Sequence, residues 1–335
     1  MSEGKYGRRI LALREIFLRE TDEDHQLSIK ELVEKLKLEI PDCTADSKAV
    51  KRYIEALRAM DIEIMENKEK FGEIFYSHQD RLFETYQLRL LIDPILSARF
   101  ITEDEKRYLV SRLKKMTSKH IAKTLPDPIV YLQSINMDYN LIRNHIDTIH
   151  RAISESKMIS FQYGDFNINK EFQLRHDAAF YNVKPSALIW ESDFYYLIGD
   201  DVKYGEANNP RNYRLDRMRS VTITEERFIR ERRDISTYVQ HSFHMFGGED
   251  EWITIQFNLN RVALNGVIDK FGLDADIRKI DESTFILKAK AKISEGLKGW
   301  ILAWGRHAKV LSPSSLVEEM KVETQKMVEA YNDLK

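Results

Sequence analysis

Val183-Lys184-Pro185-Ser186-Ala187-Leu188-Ile189-Trp190, Phe194-Tyr195-Tyr196-Leu197-Ile198-Gly199-Asp200 and Asn212-Tyr213-Arg214-Leu215-Asp216-Arg217-Met218 decide how this chain is read. Each run is short, rich in aromatic or β-branched residues and bounded by Gly, Asp, Asn or Pro, which marks strands joined by tight turns. Ile159 to Tyr163 ahead of them and Val221 to Thr224 behind them have the same character. Together they predict a small, tightly curved antiparallel sheet or barrel. Directly upstream, Asn140 to Ser156 carries Leu141, Ile142, His145, Ile149 and Ile153 at helical spacing, so one amphipathic helix precedes the sheet.

Downstream, Glu225 to Asp250 is charged and contains Arg230, Arg232 and Arg233, and a boundary is expected there. Beyond it, Trp252 to Leu259 alternates as a strand, and Val262 to Phe271 is helical and stopped by Gly272. Ile277 to Ile280 and Phe285 to Ile293 read as strands, Leu297 to Trp304 as a helix and Lys309 to Leu311 as a brief strand. Ser315 and Glu318 form a capping box for a last helix. The order β-α-β-β-α-β-α is that of a split βαβ, ferredoxin-like α/β sandwich with an added helix.

The N-terminal third has a different logic. Ile10, Leu13, Ile16, Phe17 and Leu18 recur near helical spacing, and Ser28 to Glu31 is a capping box opening a second short helix. Asp46 or Ser47 can cap a third, with Val50, Ile54, Leu57 and Met60 on one face. Ile62 to Glu66 and Glu73 to Tyr76 then alternate on either side of a Lys-rich turn with Gly72, which suits a two-stranded wing. The expected unit is a winged helix-turn-helix over residues 1–78. Residues 79–139 read as a helical connector broken at Pro94, Pro126 and Pro128. The sheet domain then spans 140–232 and the last unit 250–335, which makes the fold class α+β multidomain.

Composition narrows the function. At about 150 residues per domain, 335 residues accommodate several domains. Hydrophobic residues at 43%, with 16 Phe and 15 Tyr, supply real cores. No stretch approaches the roughly 18 apolar residues of a membrane helix, and the start MSEGKYGRR is no secretory leader, so a cytoplasmic protein is expected. Cys43 is the only cysteine, which excludes an internal disulfide framework and a thiolate zinc cluster. His145 with His150 and His241 with His244 lack carboxylate partners at ligand spacing, so no metal is assigned. Phosphate-binding, dinucleotide, nucleophile-elbow and zinc-protease motifs are all missing, and neither an enzyme nor a cofactor is expected. The 52 basic residues against 54 acidic ones mean that any nucleic-acid surface must be a local patch.

One such patch is the third helix, where Lys48, Lys51, Arg52 and Tyr53 are expected opposite the apolar stripe. A helix of this length fits the major groove. Lys68 and Lys70 at the wing tip are candidate phosphate contacts. In the sheet domain, Arg214 and Arg217 suit a phosphate in two-pronged geometry, and Tyr163, Tyr195 and Tyr196 offer rings on which a base stacks. Side chains alternate along a strand, so only one of Tyr195 and Tyr196 can face a pocket, and Arg214 and Arg217 are separated likewise unless the strand ends between them. The same tyrosines equally suit a barrel core, and the same arginines ion pairs with Asp216 or Asp200. Ser186 is a further polar candidate.

The block from Pro185 to Arg217 resembles the WYL domain, whose name-giving triplet stands here as Tyr195-Tyr196-Leu197. The first position departs from the family's tryptophan, keeping a ring but losing the indole donor. The N-terminal unit resembles the winged helix-turn-helix usual in these regulators, and the last unit their C-terminal extension, with Phe271-Gly272 and Gly299-Trp300 at matching places. The resemblance implies a bacterial-type transcription factor with an Sm-like WYL barrel that senses a ligand, often a nucleotide or nucleic acid. The resulting expectation is a homodimer on a roughly palindromic operator of double-stranded DNA, with a nucleotide or single-stranded effector. The alternative is an RNA- or single-strand-binding accessory protein that uses the barrel as its main surface.

Overall fold

A computed structural model of the chain describes residues 3–68, 72–127, 138–204, 210–230 and 233–332. It is a mixed α+β structure in two compact units, Met1–Met137 and Asp138–Lys335.

The first unit begins with α1 (Glu3–Glu20), β1 (Leu27–Ser28), α2 (Ile29–Glu39) and α3 (Ser47–Arg58), followed by β2 (Met65–Lys68) and β3 (Ile74–Ser77). The reciprocal cap forms as expected: the Ser28 hydroxyl accepts from the Glu31 amide and the Glu31 carboxylate accepts from the Ser28 amide at 2.7 Å. Asp46, not Ser47, caps α3 by accepting from the Ala49 amide at 2.8 Å. Leu13, Phe17, Leu32, Leu36, Val50 and Ile54 close one core between the helices. The hairpin expected as a wing has a third strand, because β1 pairs with β3 to give the order β1-β3-β2. Two residues are too short a run to announce themselves by alternation.

Three helices follow, α4 (Thr85–Ser97), α5 (Glu103–Lys114) and α6 (Lys119–Thr124). The expected break at Pro94 is corrected, since α4 runs through it to Ser97. The missing amide falls in the last turn, where the helix is already ending. Pro126 does follow the end of α6, while Pro128 lies outside the described residues.

The second unit opens with α7 (Tyr139–Glu155), which buries Ile142, His145, Ile149 and Ala152. Its sheet contains β4 (Lys157–Phe166), β5 (Phe172–Leu174), β6 (Phe180–Glu191), β7 (Phe194–Asp201), β8 (Arg211–Arg214) and β9 (Met218–Arg227). The order is β5-β4-β6-β7-β8, with β9 also on β4, and every pairing is antiparallel. Phe161, Leu197, Tyr213 and Leu215 fill its inside against Ile149 of α7.

The charged segment read as a boundary holds α8 (Ile235–His241), whose Tyr238 and Val239 pack with Tyr196, Ile198 and Met245. Then come β10 (Asp250–Asn258), α9 (Arg261–Phe271), β11 (Asp276–Lys279), β12 (Thr284–Lys292), α10 (Glu295–Ala303), β13 (Ala308–Ser312) and α11 (Ser314–Asn332). The sheet order is β11-β12-β10-β13, all antiparallel, over a core of Ile253, Phe257, Val267, Phe285 and Leu297. Gly272 ends α9 at φ 85°, a conformation that costs glycine nothing. The capping box expected at Ser315 is corrected: the Val317 amide already donates to the Pro313 carbonyl, so Ser315 lies inside α11.

Candidate ligand cleft and nucleic-acid interface

A cleft of about 620 Å³ opens on one face of the second unit. Tyr163 of β4, Tyr196 of β7, and Arg211 and Arg214 of β8 form its floor with Arg217. Arg175 and His176, from the connection between β5 and β6, stand on one side, and the stretch His244 to Gly248 on the other. Among the described residues lining it are four arginines and two histidines, and no Asp or Glu. A concave surface of this size that concentrates guanidinium groups suits an anion.

Three of the four arginines are held by acidic partners. Arg214 forks onto Asp216, Nε at 3.1 Å and Nη2 at 2.8 Å, while its guanidinium lies over the Phe194 ring at 3.4 Å. Asp165 is shared: one oxygen accepts from Arg217 at 2.8 Å and the other from Arg175. Strand β8 ends at Arg214 and a 3₁₀ turn covers Leu215–Arg217, so strand parity no longer separates the two arginines and both reach the cleft. Asp200, the other acid considered as a partner, is taken by Arg233 at 2.7 Å.

The tyrosines are buried and neutral. Burial raises the pKa of Tyr163, and its hydroxyl oxygen accepts from the Arg214 amide at 3.1 Å. Burial also raises Tyr196, and burial together with the Asp201 carboxylate raises Tyr213, whose hydroxyl donates to Asp201 at 3.0 Å. Both side walls use left-handed backbone. His176, Asp177 and Ala178 have φ of 53°, 52° and 61°, and His244 and Met245 have φ of 49° and 57°. Non-glycine residues hold such angles at a cost of about 1 kcal/mol or more each, which the surrounding contacts must offset.

Four sequence candidates, Tyr163, Tyr196, Arg214 and Arg217, therefore meet in one place. Tyr195 does not join them; it turns to the opposite face and packs edge-on against Trp190 at 5.1 Å. Ser186 sits at a register shift of β6 away from the cleft, and its carbonyl accepts from Arg230 at 3.4 Å. Sequence reasoning missed Arg175, His176, Arg211, His244 and Phe246. Of these only Arg211 left a signal, since Arg211, Arg214 and Arg217 recur every third residue.

In the first unit, Lys48, Lys51 and Arg52 are exposed along one side of α3. Tyr53 is corrected. It lies four residues after Ala49 and four before Leu57, on the buried stripe, and is 1% exposed. Its ring meets Tyr6 edge-on at 5.3 Å and its hydroxyl accepts from Arg9 at 3.4 Å. Arg58 fastens the start of the β2–β3 hairpin to α3 by donating twice to the Ile64 carbonyl, at 2.7 and 3.2 Å, and to Glu55 and Glu66. Lys68 is exposed at the end of β2, and Lys70 lies outside the described residues.

The WYL domain model matches residues 144–223, covering most of α7 and of the curved sheet, and the WCX domain model matches residues 249–328. The chain thus carries a WYL domain followed by a WCX domain. With a WCX domain behind its WYL domain, the chain is consistent with the WYL-domain regulator family. No curated protein matches the chain in sequence. Among solved structures, Proteasome accessory factor B/C (PafBC) of Arthrobacter aurescens is 16% identical over 94% of this chain and 46% of that one, with a TM-score of 0.29. The chain thus spans about half the length of that protein. A CRISPR Cas-related protein is 15% identical over 100% of this chain and 82% of that one, with a TM-score of 0.37.

Proposed function

We propose that this protein is a ligand-responsive, DNA-binding transcriptional regulator whose WYL domain takes a phosphate-bearing effector, a nucleotide or a short single strand. The observation that carries the reading is the cleft in which four arginines converge beside tyrosine rings, with no Asp or Glu in the lining described. Phosphates suit the guanidinium groups and bases suit the rings. The exposed Lys48, Lys51 and Arg52 support duplex binding by α3, and the capped α2, α3 and sheet β1-β3-β2 are read as a winged helix-turn-helix. The sheet order β9-β4-β6-β7-β8 behind α7 is read as an Sm-like barrel, and the order β11-β12-β10-β13 as a ferredoxin-like sandwich. The functional segments remain 1–78, 79–139, 140–232 and 250–335. In this reading the protein is cytoplasmic, acts as a homodimer on a palindromic operator and catalyses no reaction.

The test measures binding of the full chain to duplex DNA from its own upstream region, at fixed salt, with and without short single-stranded oligonucleotides. Lys51→Ala and Arg52→Ala are each expected to weaken duplex binding and to reduce the salt dependence by about one counterion, leaving oligonucleotide binding intact. Duplex affinity equal to wild type in both variants defeats the assignment of α3. Tight single-strand binding with no specific duplex binding favours the accessory-protein alternative.

A further inference from the structure

The end of α1 and the corner that follows it, residues 20–25, meet the cap and first turn of α6 through three consecutive side chains. Glu20 accepts from Lys119, and also from Lys35 of α2 at 3.0 Å. Asp22 accepts from the Ser118 hydroxyl with one oxygen. With the other it takes His25 Nδ1 at 2.7 Å and the backbone amides of Asp24 and His25 at 3.1 and 2.9 Å. Finally, the His25 ring lies flat on His120, with centroids 3.6 Å apart and planes within 7°. Ser118, Lys119 and His120 thus each engage a different residue of the corner.

We propose that the stacked His25–His120 pair is a proton-operated latch, which holds α6 on the α1–β1 corner when His120 is neutral and releases it on acidification. Two imidazoles face to face tolerate one positive charge but not two, because like charges at this separation repel. An ionised carboxylate only accepts, so Asp22 keeps a proton on His25 Nδ1 and fixes the orientation of that ring. Burial and then the neighbouring His25 push the pKa of His120 down, outweighing the pull of Asp22. Lys119 acts in the same direction as His25, and the Glu20 carbonyl opposes it. Glu23, Asp24, Arg81 and Glu84 line the small cleft beside the pair. A released His120 regains its ordinary value, near 6.5. The docked form therefore binds fewer protons, so docking is favoured above that value and lost as pH falls below it. The Glu20 and Asp22 contacts stay ionised throughout this window, since both carboxyls lie below their ordinary range. The histidine pair is what switches.

The test is hydrogen exchange of the full chain, corrected for intrinsic rate, at about pH 7.5 and about pH 5.5. Protection of the α6 amides is expected to fall by about threefold or more on acidification in the wild type. His120→Phe keeps a flat ring on His25 but cannot ionise, so its protection is expected to stay constant. His150→Gln, altering an exposed ring on α7, is expected to behave as wild type. Unchanged wild-type protection, or an equal fall in His120→Phe, overturns the latch. Should His120→Phe fail to fold, side-chain NMR titration of the wild type decides: a His120 pKa at or above about 6.5 overturns it equally.

Discussion

Asp165 holds two of the four cleft arginines, and its charge works against any anion they bind. Asp165→Asn removes that charge and keeps one acceptor oxygen, which can serve Arg217, now met at 2.8 Å, while the amide NH2 takes the place of the oxygen that accepts from Arg175. A phosphate on the far face of the Arg217 guanidinium would lie about 7 Å from the carboxylate, two hydrogen-bond lengths with the planar group between. At an effective dielectric of about 40, for a partly exposed pair, the repulsion relieved is about 1 kcal/mol, or about fivefold in affinity. Arg217→Ala loses a charge-assisted hydrogen bond and is expected to weaken binding by about tenfold or more. The two substitutions break the same ion pair yet move affinity in opposite directions. Fluorescence anisotropy with a labelled short single-stranded DNA at about 0.1 M salt reads both, and the gain in Asp165→Asn should shrink as salt rises. Weaker binding in Asp165→Asn would refute the electrostatic account and leave the carboxylate as a scaffold for the arginines. Unchanged binding in Arg217→Ala would remove the cleft as the site.

Two further substitutions test the scaffold. Burial opposes ionisation of Glu20, but hydrogen bonds from Lys119 and Lys35 outweigh it and hold the carboxyl at about 2 against an ordinary 4.5, with the side chain 9% exposed. That difference corresponds to about 3 kcal/mol, present in full above the ordinary value and lost as pH falls through about 2. Glu20→Gln should lower the stability of the first unit by that order at neutral pH, with the deficit narrowing toward pH 3 in urea melts; a pH-independent deficit would contradict the account. At Gly199, a Cβ would stand 2.6 Å from Val183 Cγ1 and 2.8 Å from the Lys184 carbonyl oxygen. Gly199→Ala should cost about 1–3 kcal/mol by overpacking, read by calorimetry of the second unit, and wild-type stability would mean that β6 yields freely.

What the sequence made legible was local. The caps at Ser28 and Asp46, the amphipathic period of α7 and the alternation of β6, β7 and β10 are set by residues within a turn or two of one another. The three-helix start and the curved sheet could be read from these alone. Tyr53 was misplaced because tyrosine suits either a groove or a core, and only the exact phase of α3 puts it on the stripe with Ala49 and Leu57. Helix α8 hid within a charged segment because its inward residues, Ile235, Tyr238 and Val239, span little more than one turn, too short a run to stand out as a period. Half of the cleft was illegible for another reason. Arg175 and His244 are 69 positions apart and meet only through sheet order and through left-handed turns at His176–Ala178 and His244–Met245, where no glycine marks the bend.

The position of the cleft follows from how the curved sheet fails to close. Strands β8 and β9 are consecutive in the chain, yet β8 pairs with β7 and β9 with β4, so the turn Leu215–Arg217 crosses an open seam. The free edge of β8 would leave polar backbone exposed, and α8 with its following loop covers it. Tyr238 donates to the Pro210 carbonyl at 3.0 Å, and the Asn212 side chain donates to the Met245 carbonyl at 2.6 Å. That covering loop is itself fixed to the C-terminal sheet and its helices, since Lys270 of α9 donates to the Ser242 carbonyl at 2.7 Å and Phe243 is buried in their core. Gly248 packs so closely on Ile293 that a Cβ would approach its carbonyl oxygen to 2.1 Å. An anion on Arg211, Arg214 and Arg217 would therefore lie across the seam, against both ends of the curved sheet and against a loop anchored in the next domain. Such a ligand shifts the arrangement of the two domains only in so far as it binds one spacing of seam and loop better than another. The anchored His244–Gly248 wall is the part of the cleft through which that difference must act.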